Sequence, residues 1–191
     1  EYTPLEMIRR FSFWRVFVAF TCITAVGSSV ISFARELALS VGAGAALATT
    51  LVGVLAVCNG LGRIITGAVF DALGRRFTMI AANILAIVAA AITLVSVSVS
   101  SLPLCIVGLC LTGMSYGSCP TITAAFTSSF FGMKYLPTNM AIMTFTVMGG
   151  SLIATVSNKI FEITGGYTGA FIMLLALTFV ALLLNIFIRE S

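Results

Sequence analysis

Six apolar runs divide this chain, at residues 16–34, 45–70, 77–99, 102–126, 139–157 and 168–188. Each is close to the ~20 residues that carry an α-helix across a hydrocarbon layer. Transmembrane strands would alternate apolar and polar positions over about ten residues, whereas these runs are continuous. With 60% of its 191 residues hydrophobic and only 8% charged, the chain is excluded from the soluble globular class. The fold class that follows is an all-α membrane protein of about six transmembrane helices.

Charge placement orients the bundle. If the amino end is cytoplasmic, that side carries Arg9, Arg10, Arg15, Arg75, Arg76, Lys134 and Arg189, and the other side only Arg35 and Lys159. This follows the positive-inside rule and places both ends in the cytoplasm, in a plasma (inner) membrane. The formal charge of +4 is small and its ten basic residues are scattered, so no nucleic acid is implied as a partner. Trp14, Tyr135 and Tyr167 fall near span ends, where amphipathic rings anchor in the headgroup layer. Residues 1–15 read as a lead-in helix: Thr3 as N-cap, Pro4 at the first helical position and Glu6 closing a capping box. Met7, Ile8 and Phe11 share its apolar face, with Arg9 and Arg10 toward headgroups. Residues 16–191 form the bundle. The start at Glu1 rather than Met, with no signal region, suggests a piece of something longer.

Cys22, Cys58, Cys105, Cys110 and Cys119 all lie in apolar runs, without a Cys-x-x-Cys pair and without any histidine. They read as free thiols, and neither a metal nor a cofactor is expected.

The runs differ in character. The first carries Thr21, Thr24, Gly27, Ser28, Ser29 and Ser32, and the fourth carries Gly108, Thr112, Gly113, Ser115, Tyr116, Gly117, Ser118, Pro120, Thr121 and Thr123. Both read as interior helices. The third and sixth are almost wholly aliphatic or aromatic, with Asn83 and Asn185 toward their cytoplasmic ends, and read as lipid-facing walls. Taken three by three, the order polar, charged or glycine-rich, then apolar occurs twice. Gly149-Gly150-Ser151 of the fifth run stands opposite Asn59-Gly60-Leu61-Gly62-Arg63 of the second. That pattern matches a three-plus-three inverted repeat, the nested unit in each half of a twelve-helix transporter.

Arg63 is the chemically informative residue. A guanidinium in hydrocarbon costs roughly 2.5–3.5 kcal/mol even on lenient insertion scales, so it is expected to face water and an anion. It lies about 12 Å along the helix from Asp71 at 1.5 Å per residue, too far to reach the headgroups comfortably. An ion pair with an acidic residue elsewhere, or a bond to backbone carbonyls, is the competing role. Asn59, one turn earlier, either orients Arg63 or the ligand or joins helices. Tyr116 either donates its hydroxyl to a bound carboxylate or packs. Thr24, Ser28, Thr144 and Thr146 are candidate cavity groups, although hydroxyls in membrane helices commonly bond their own backbone. Pro120 removes a backbone donor and is expected to bend the fourth helix. Apart from Asp71 at a membrane edge, no run holds a carboxylate or histidine. A proton relay and the Ser/His or paired-Asp machinery of an intramembrane protease are therefore excluded from this chain, and an enzyme is not expected.

Gly67-Ala68-Val69-Phe70-Asp71-Ala72-Leu73-Gly74-Arg75-Arg76 resembles the cytoplasmic-loop signature of the major facilitator superfamily. Gly67 suits close helix approach, Gly74 a sharp reversal, and Asp71 with Arg75 and Arg76 a latch between helix ends, so the segment reads as a gate. Ala72 departs from the basic residue often found there. Tyr2-Thr3-Pro4-Leu5-Glu6-Met7 before Phe13-Trp14, Asn59 to Arg63, Tyr116-Gly117-Ser118-Cys119-Pro120, Phe131-Gly132-Met133-Lys134 and Asn139 together resemble the carboxyl half of the oxalate/formate antiporter family, which is related to monocarboxylate transporters. The resemblance implies exchange or uptake of small carboxylates by alternating access, with Arg63 at the carboxylate-contacting position and an amino-terminal half on the same polypeptide. Two departures matter. Residues 143–157 hold no cation, and a dianion would be better served by two, so a monoanion is favoured. Thr127-Ser128-Ser129 stands where relatives often place an acid. The rival reading is a channel subunit or assembly scaffold, which would pass ions without saturation where a carrier saturates.

Overall fold

The computed structural model describes residues 1–188, and among them the only regular structure is helical. A short helix α1, Pro4–Arg9, is followed by α2, Phe11–Ser40, α3, Ala45–Ser98, α4, Leu102–Phe131, α5, Leu136–Thr164, and α6, Tyr167–Ile186. The 54-residue α3 leaves helical geometry only at Gly74, with φ 77° and ψ 177°. That region of φ/ψ space is open essentially to glycine alone. Gly74 thus divides α3 into two membrane-length passes, α3a (45–73) and α3b (75–98). With α2, α4, α5 and α6 the passes among the described residues number six, and the chain is an integral, multi-pass membrane protein.

The polar turn expected at 71–76 is narrower than its sequence suggests, because Asp71, Ala72 and Leu73 stay helical up to Gly74. Most helices also outrun their apolar runs. The 30 residues of α2 span about 45 Å at 1.5 Å per residue, against about 30 Å of hydrocarbon, so its ends project into the interfaces. Arg189 lies outside the described residues.

α2 packs against α5 and α6, and α4 against both halves of α3, with Gly113 on Leu55 in the first and Gly108 on Thr93 in the second. These are the equivalent pairs that a two-fold relation between the first and last three passes requires. α2 and α4 are the inner helices: 67% and 50% of their most apolar stretches are buried, against 28% for α5 and 33% for α6. Two apolar cores stack along the bundle. One, at the end carrying α1, gathers Phe13, Phe20, Ile122, Phe126 and Met143. The other, at the far end, gathers Phe33, Leu37, Leu51, Leu109 and Phe171.

Two expectations are corrected here. α3b and α6 are not plain walls, because each turns one face inward and their asparagines meet. Asn83 Nδ2 donates to the Thr178 carbonyl at 2.9 Å and Asn185 Nδ2 donates to Asn83 Oδ1 at 2.9 Å, with both residues buried. Tyr167 is no headgroup anchor either. It is buried, stacked on Phe161 at 4.5 Å between ring centres and packed against Phe33.

The lead-in is tied to the bundle. The Thr3 hydroxyl and Glu6 carboxylate cap α1 reciprocally, and the bonds from Thr3 hold the Glu6 carboxyl below its ordinary pKa. The Tyr2 amide donates to the Phe131 carbonyl at 2.9 Å, and Asn139 Nδ2 donates to the Tyr2 carbonyl at 3.2 Å. Gly132, at φ 87°, reverses the chain beneath this strap.

Candidate functional site

α3a and α4 run in the same direction and meet backbone to backbone. A Cβ on Gly113 would sit 2.6 Å from the Leu55 carbonyl oxygen. One on Gly117 would collide with the Asn59 carbonyl, and one on Gly62 with the Met114 carbonyl. This seam sets the azimuth of Arg63. The buried face of α3a is Ala48, Leu51, Leu55, Gly62 and Thr66, and at 100° per residue Arg63 is turned about 80° from it. Ile65, Thr66 and Val69 mark the flank toward α3b, since they share a cleft with Thr78, Ala81 and Leu85. Arg63 is on the other flank. It is exposed and makes no hydrogen bond or ion pair with any described residue. Asn59 is half-buried beside it, with Oδ1 against Gly117.

The second part of the site lies across α4. Thr24 of α2, Cys119, Pro120 and Thr123 of α4, and Met140, Met143, Thr144, Thr146 and Val147 of α5 line a cavity of about 80 Å³. Next to it α2 and α5 approach closely at Gly149 and Gly150, whose added Cβ atoms would meet the Thr21 and Thr24 methyls at 2.8 and 2.9 Å. Most hydroxyls here bond their own helix: Thr123 to the Cys119 carbonyl at 2.7 Å, Thr144 to Met140 at 2.9 Å, and Thr146 to Met143 at 2.8 Å. Thr24 does not. It is 1% exposed. Its Oγ1 finds no oxygen or nitrogen partner, and the sulfur of Cys119, whose thiol donates to the Ser115 carbonyl at 3.6 Å, is the acceptor its hydroxyl meets.

Tyr116 stands between these two parts, half-buried, with its ring laid on Gly27 of α2. A Cβ on Gly27 would sit 2.6 Å from the Tyr116 Cβ and Cγ, so the ring is a packing element at the α2–α4 crossing. Ser28, one residue on, is half-buried. α4 passes Pro120 with no residue leaving helical geometry. Its missing N–H nevertheless removes the main-chain donor that would serve the Tyr116 carbonyl. Arg63, Pro120, Thr144 and Thr24 lie about 12–20 Å along their helices from the end carrying α1, at 1.5 Å per residue. The sequence-predicted residues therefore fall at one depth but in two places. Thr24 and Thr144 share the cavity, while Arg63 and Asn59 stand on the α3a flank.

The gate residues are arranged differently from expectation. Gly67 faces Thr121 at an ordinary 3.9 Å, so the tight approaches belong to Gly62, Gly113 and Gly117 instead. Asp71 is exposed and forms no ion pair with Arg75 or Arg76. Arg75 instead lays its guanidinium over Phe130 and Phe126 of α4, at 5.1 and 5.7 Å from the ring centres. Arg76 borders a small cleft with Met79 and Asn185. Sequence reasoning missed the Asn83–Asn185 pair, the seam role of Gly113 and Gly117, and the packing of Thr24 against Gly150 and Cys119. The first could have been suspected from two asparagines in otherwise apolar runs.

A family model described as Major Facilitator Superfamily matches residues 15–191. No curated protein matches the chain.

Proposed function

This chain belongs to the Major Facilitator Superfamily, a family of secondary transporters rather than enzymes, and we propose that it forms six of the helices of a carrier for small organic anions, monocarboxylates first. The observation that carries this reading is Arg63: a guanidinium in a membrane pass, exposed and without a partner among the described residues. A cation so placed is tolerable beside water and an anion, and its planar fork matches a carboxylate in bidentate fashion. The flank that bears it also exposes Val52, Ala56 and Gly60. A second six-helix half, on the same polypeptide, would cover that flank and complete a central cavity, with lipid around the whole. Asn59 would orient the guanidinium, and Tyr116, Ser28, Thr24 and Thr144 would border the ligand.

Alternating access would come from rocking of the two halves, with the segment Gly67, Asp71, Gly74, Arg75 and Arg76 acting at the gate. Asp71 is free to reach a partner on the other half in one state of the cycle. The resemblance to oxalate/formate antiporters favours exchange, and the absence of a cation in residues 143–157 favours a monoanion. The basic residues at the α1 end favour placing that end in the cytoplasm, in the plasma (inner) membrane.

Counterflow in proteoliposomes of the full-length protein tests the reading. Preloading with unlabelled lactate or formate is expected to accelerate saturable entry of the labelled anion. Flux that rises linearly with concentration and ignores preloading would contradict a carrier and favour a channel.

A further inference from the structure

The cysteines of the membrane passes are sorted by their surroundings. Cys22, Cys105 and Cys119 are buried. Cys105 is hydrogen-bonded with Ser96, and Cys119 with the Ser115 carbonyl and Thr24. Cys58 of α3a and Cys110 of α4 are half-buried, and they share a side-chain hydrogen bond with each other.

The seam explains why these two meet. Gly62 lies against the Met114 main chain, and Cys58 and Cys110 stand one turn earlier on the two helices, so they face each other in the same register. A Cβ on Gly113, one turn beyond Cys110, would sit 3.0 Å from the Cys58 Cβ. A disulfide needs Cα atoms within about 7 Å of one another, and a seam closed main chain against main chain is where two helices come nearest. Azimuth separates the pair from the candidate anion site, because at 100° per residue Cys58 is turned about 140° from Arg63. The same face of α3a exposes Val54, Leu61 and Ile65, and Val107 is exposed beside Cys110. The two thiols therefore open on the outer surface of the bundle, about 24 Å along α3a from Gly74 and within the hydrocarbon layer.

We infer that Cys58 and Cys110 form an oxidisable dithiol, which a lipid-soluble quinone converts to a disulfide that fastens α3a to α4. Two S–H bonds break and one S–S bond forms. The two electrons and two protons pass to the quinone, which leaves as the quinol. Dithiol, disulfide, quinone and quinol are all neutral, so no charge is left in hydrocarbon, whereas a metal thiolate or a charged oxidant from the water would have to be desolvated there. Half-burial leaves these sulfurs within reach from the lipid, and burial shields the other three. The inference does not depend on which anion is carried.

To test it, the full-length protein is reduced, reconstituted into liposomes without oxygen and exposed to decylubiquinone in the bilayer. Remaining thiols are trapped with N-ethylmaleimide and the peptides mapped by mass spectrometry. A peptide linked through Cys58 and Cys110 is expected, with an equal amount of quinol. Cys58→Ala and Cys110→Ala are each expected to form no linkage and to leave the remaining thiol reduced. After extraction into detergent the linked protein is expected to melt several degrees above the reduced protein, because the disulfide restricts the unfolded chain, and dithiothreitol should reverse the shift. Absence of the linked peptide would overturn the inference, as would linkage of either residue chiefly to another cysteine. Quinol formed equally by the parent and both alanine variants would also overturn it, and an oxidised parent that melts with the reduced one would refute the fastening of the two helices.

Discussion

The two seams that flank α4 and α2 are related by the internal repeat, yet they are built from different contacts. Where α3a meets α4, glycines on both helices bring backbone against backbone: Gly62 on Met114, Gly113 on Leu55, Gly117 on Asn59. Where α2 meets α5, glycines lie on α5 alone: Gly149 faces only the Thr21 side chain, methyl first, while Gly150 faces the Thr24 methyl and Cβ with the Ala25 main-chain nitrogen at 3.1 Å. A backbone neighbour cannot yield, whereas a side-chain end can rotate. The first seam fixes the helix that carries Arg63, and the second runs beside the Thr24 cavity. The lesson is that one seam holds the helix bearing the charge by main-chain contacts while its symmetry-related counterpart is closed largely by side chains, so the symmetry of the fold does not extend to the candidate site.

The strongest way to break this contrast is to add the same methyl group to both seams. Gly117→Ala and Gly113→Ala are expected to cost 3 kcal/mol or more, at or above the usual ~1–3 kcal/mol of overpacking, because main chain must move. Gly149→Ala, which meets only the Thr21 side chain, is expected to cost about 1–2 kcal/mol. Thermal unfolding of purified protein in detergent ranks them, and equal losses at the two seams would refute the distinction.

Gly74→Ala comes next. A side chain at φ 77° is strained by roughly 1–3 kcal/mol, which should straighten or shift the junction of α3a with α3b. Lowered thermal stability and slower exchange are expected, and an unchanged midpoint would show that the junction is soft. Smaller again is the Asn83–Asn185 pair. Asn83→Ala is expected to lower stability by about 1 kcal/mol, whereas replacing both by leucine should recover part of that loss by removing the stranded partner. A double variant worse than the single would mean that the pair contributes more than its bonds.

The smallest effect is at α1. Because the Glu6 carboxyl is held below its ordinary value by Thr3, its capping contribution is present above the usual carboxylate range and is lost as pH falls through the lowered pKa. Hydrogen exchange at the amides of α1 should therefore show less protection at acid pH, and Glu6→Gln should flatten that dependence.

Much of the fold was legible because apolar run length alone counts membrane helices. Glycine chemistry at residue 74 marked the junction between two passes, although the sequence suggested a whole turn rather than a one-residue break. The polar content of the first and fourth runs marked α2 and α4 as interior. Depth was also legible, since Arg63, Thr24 and Thr144 lie at one level. Azimuth was less so. Whether Tyr116 packs or points into a cavity depends on Gly27, ninety residues away in sequence, and whether Asp71 pairs with Arg75 depends on Phe126 and Phe130 of another helix. The packing of Thr24 against Gly150 and Cys119 has no sequence signature, because in composition it is one threonine among many.

The most direct test of the central claim is exchange of labelled lactate and formate by the full-length protein and its Arg63→Gln variant, in proteoliposomes matched for inserted protein. Arg63 is exposed and touches no partner among the described residues, so its replacement is expected to leave insertion and thermal stability intact while abolishing saturable exchange. Undiminished carboxylate exchange by the variant would contradict an anion site centred on Arg63.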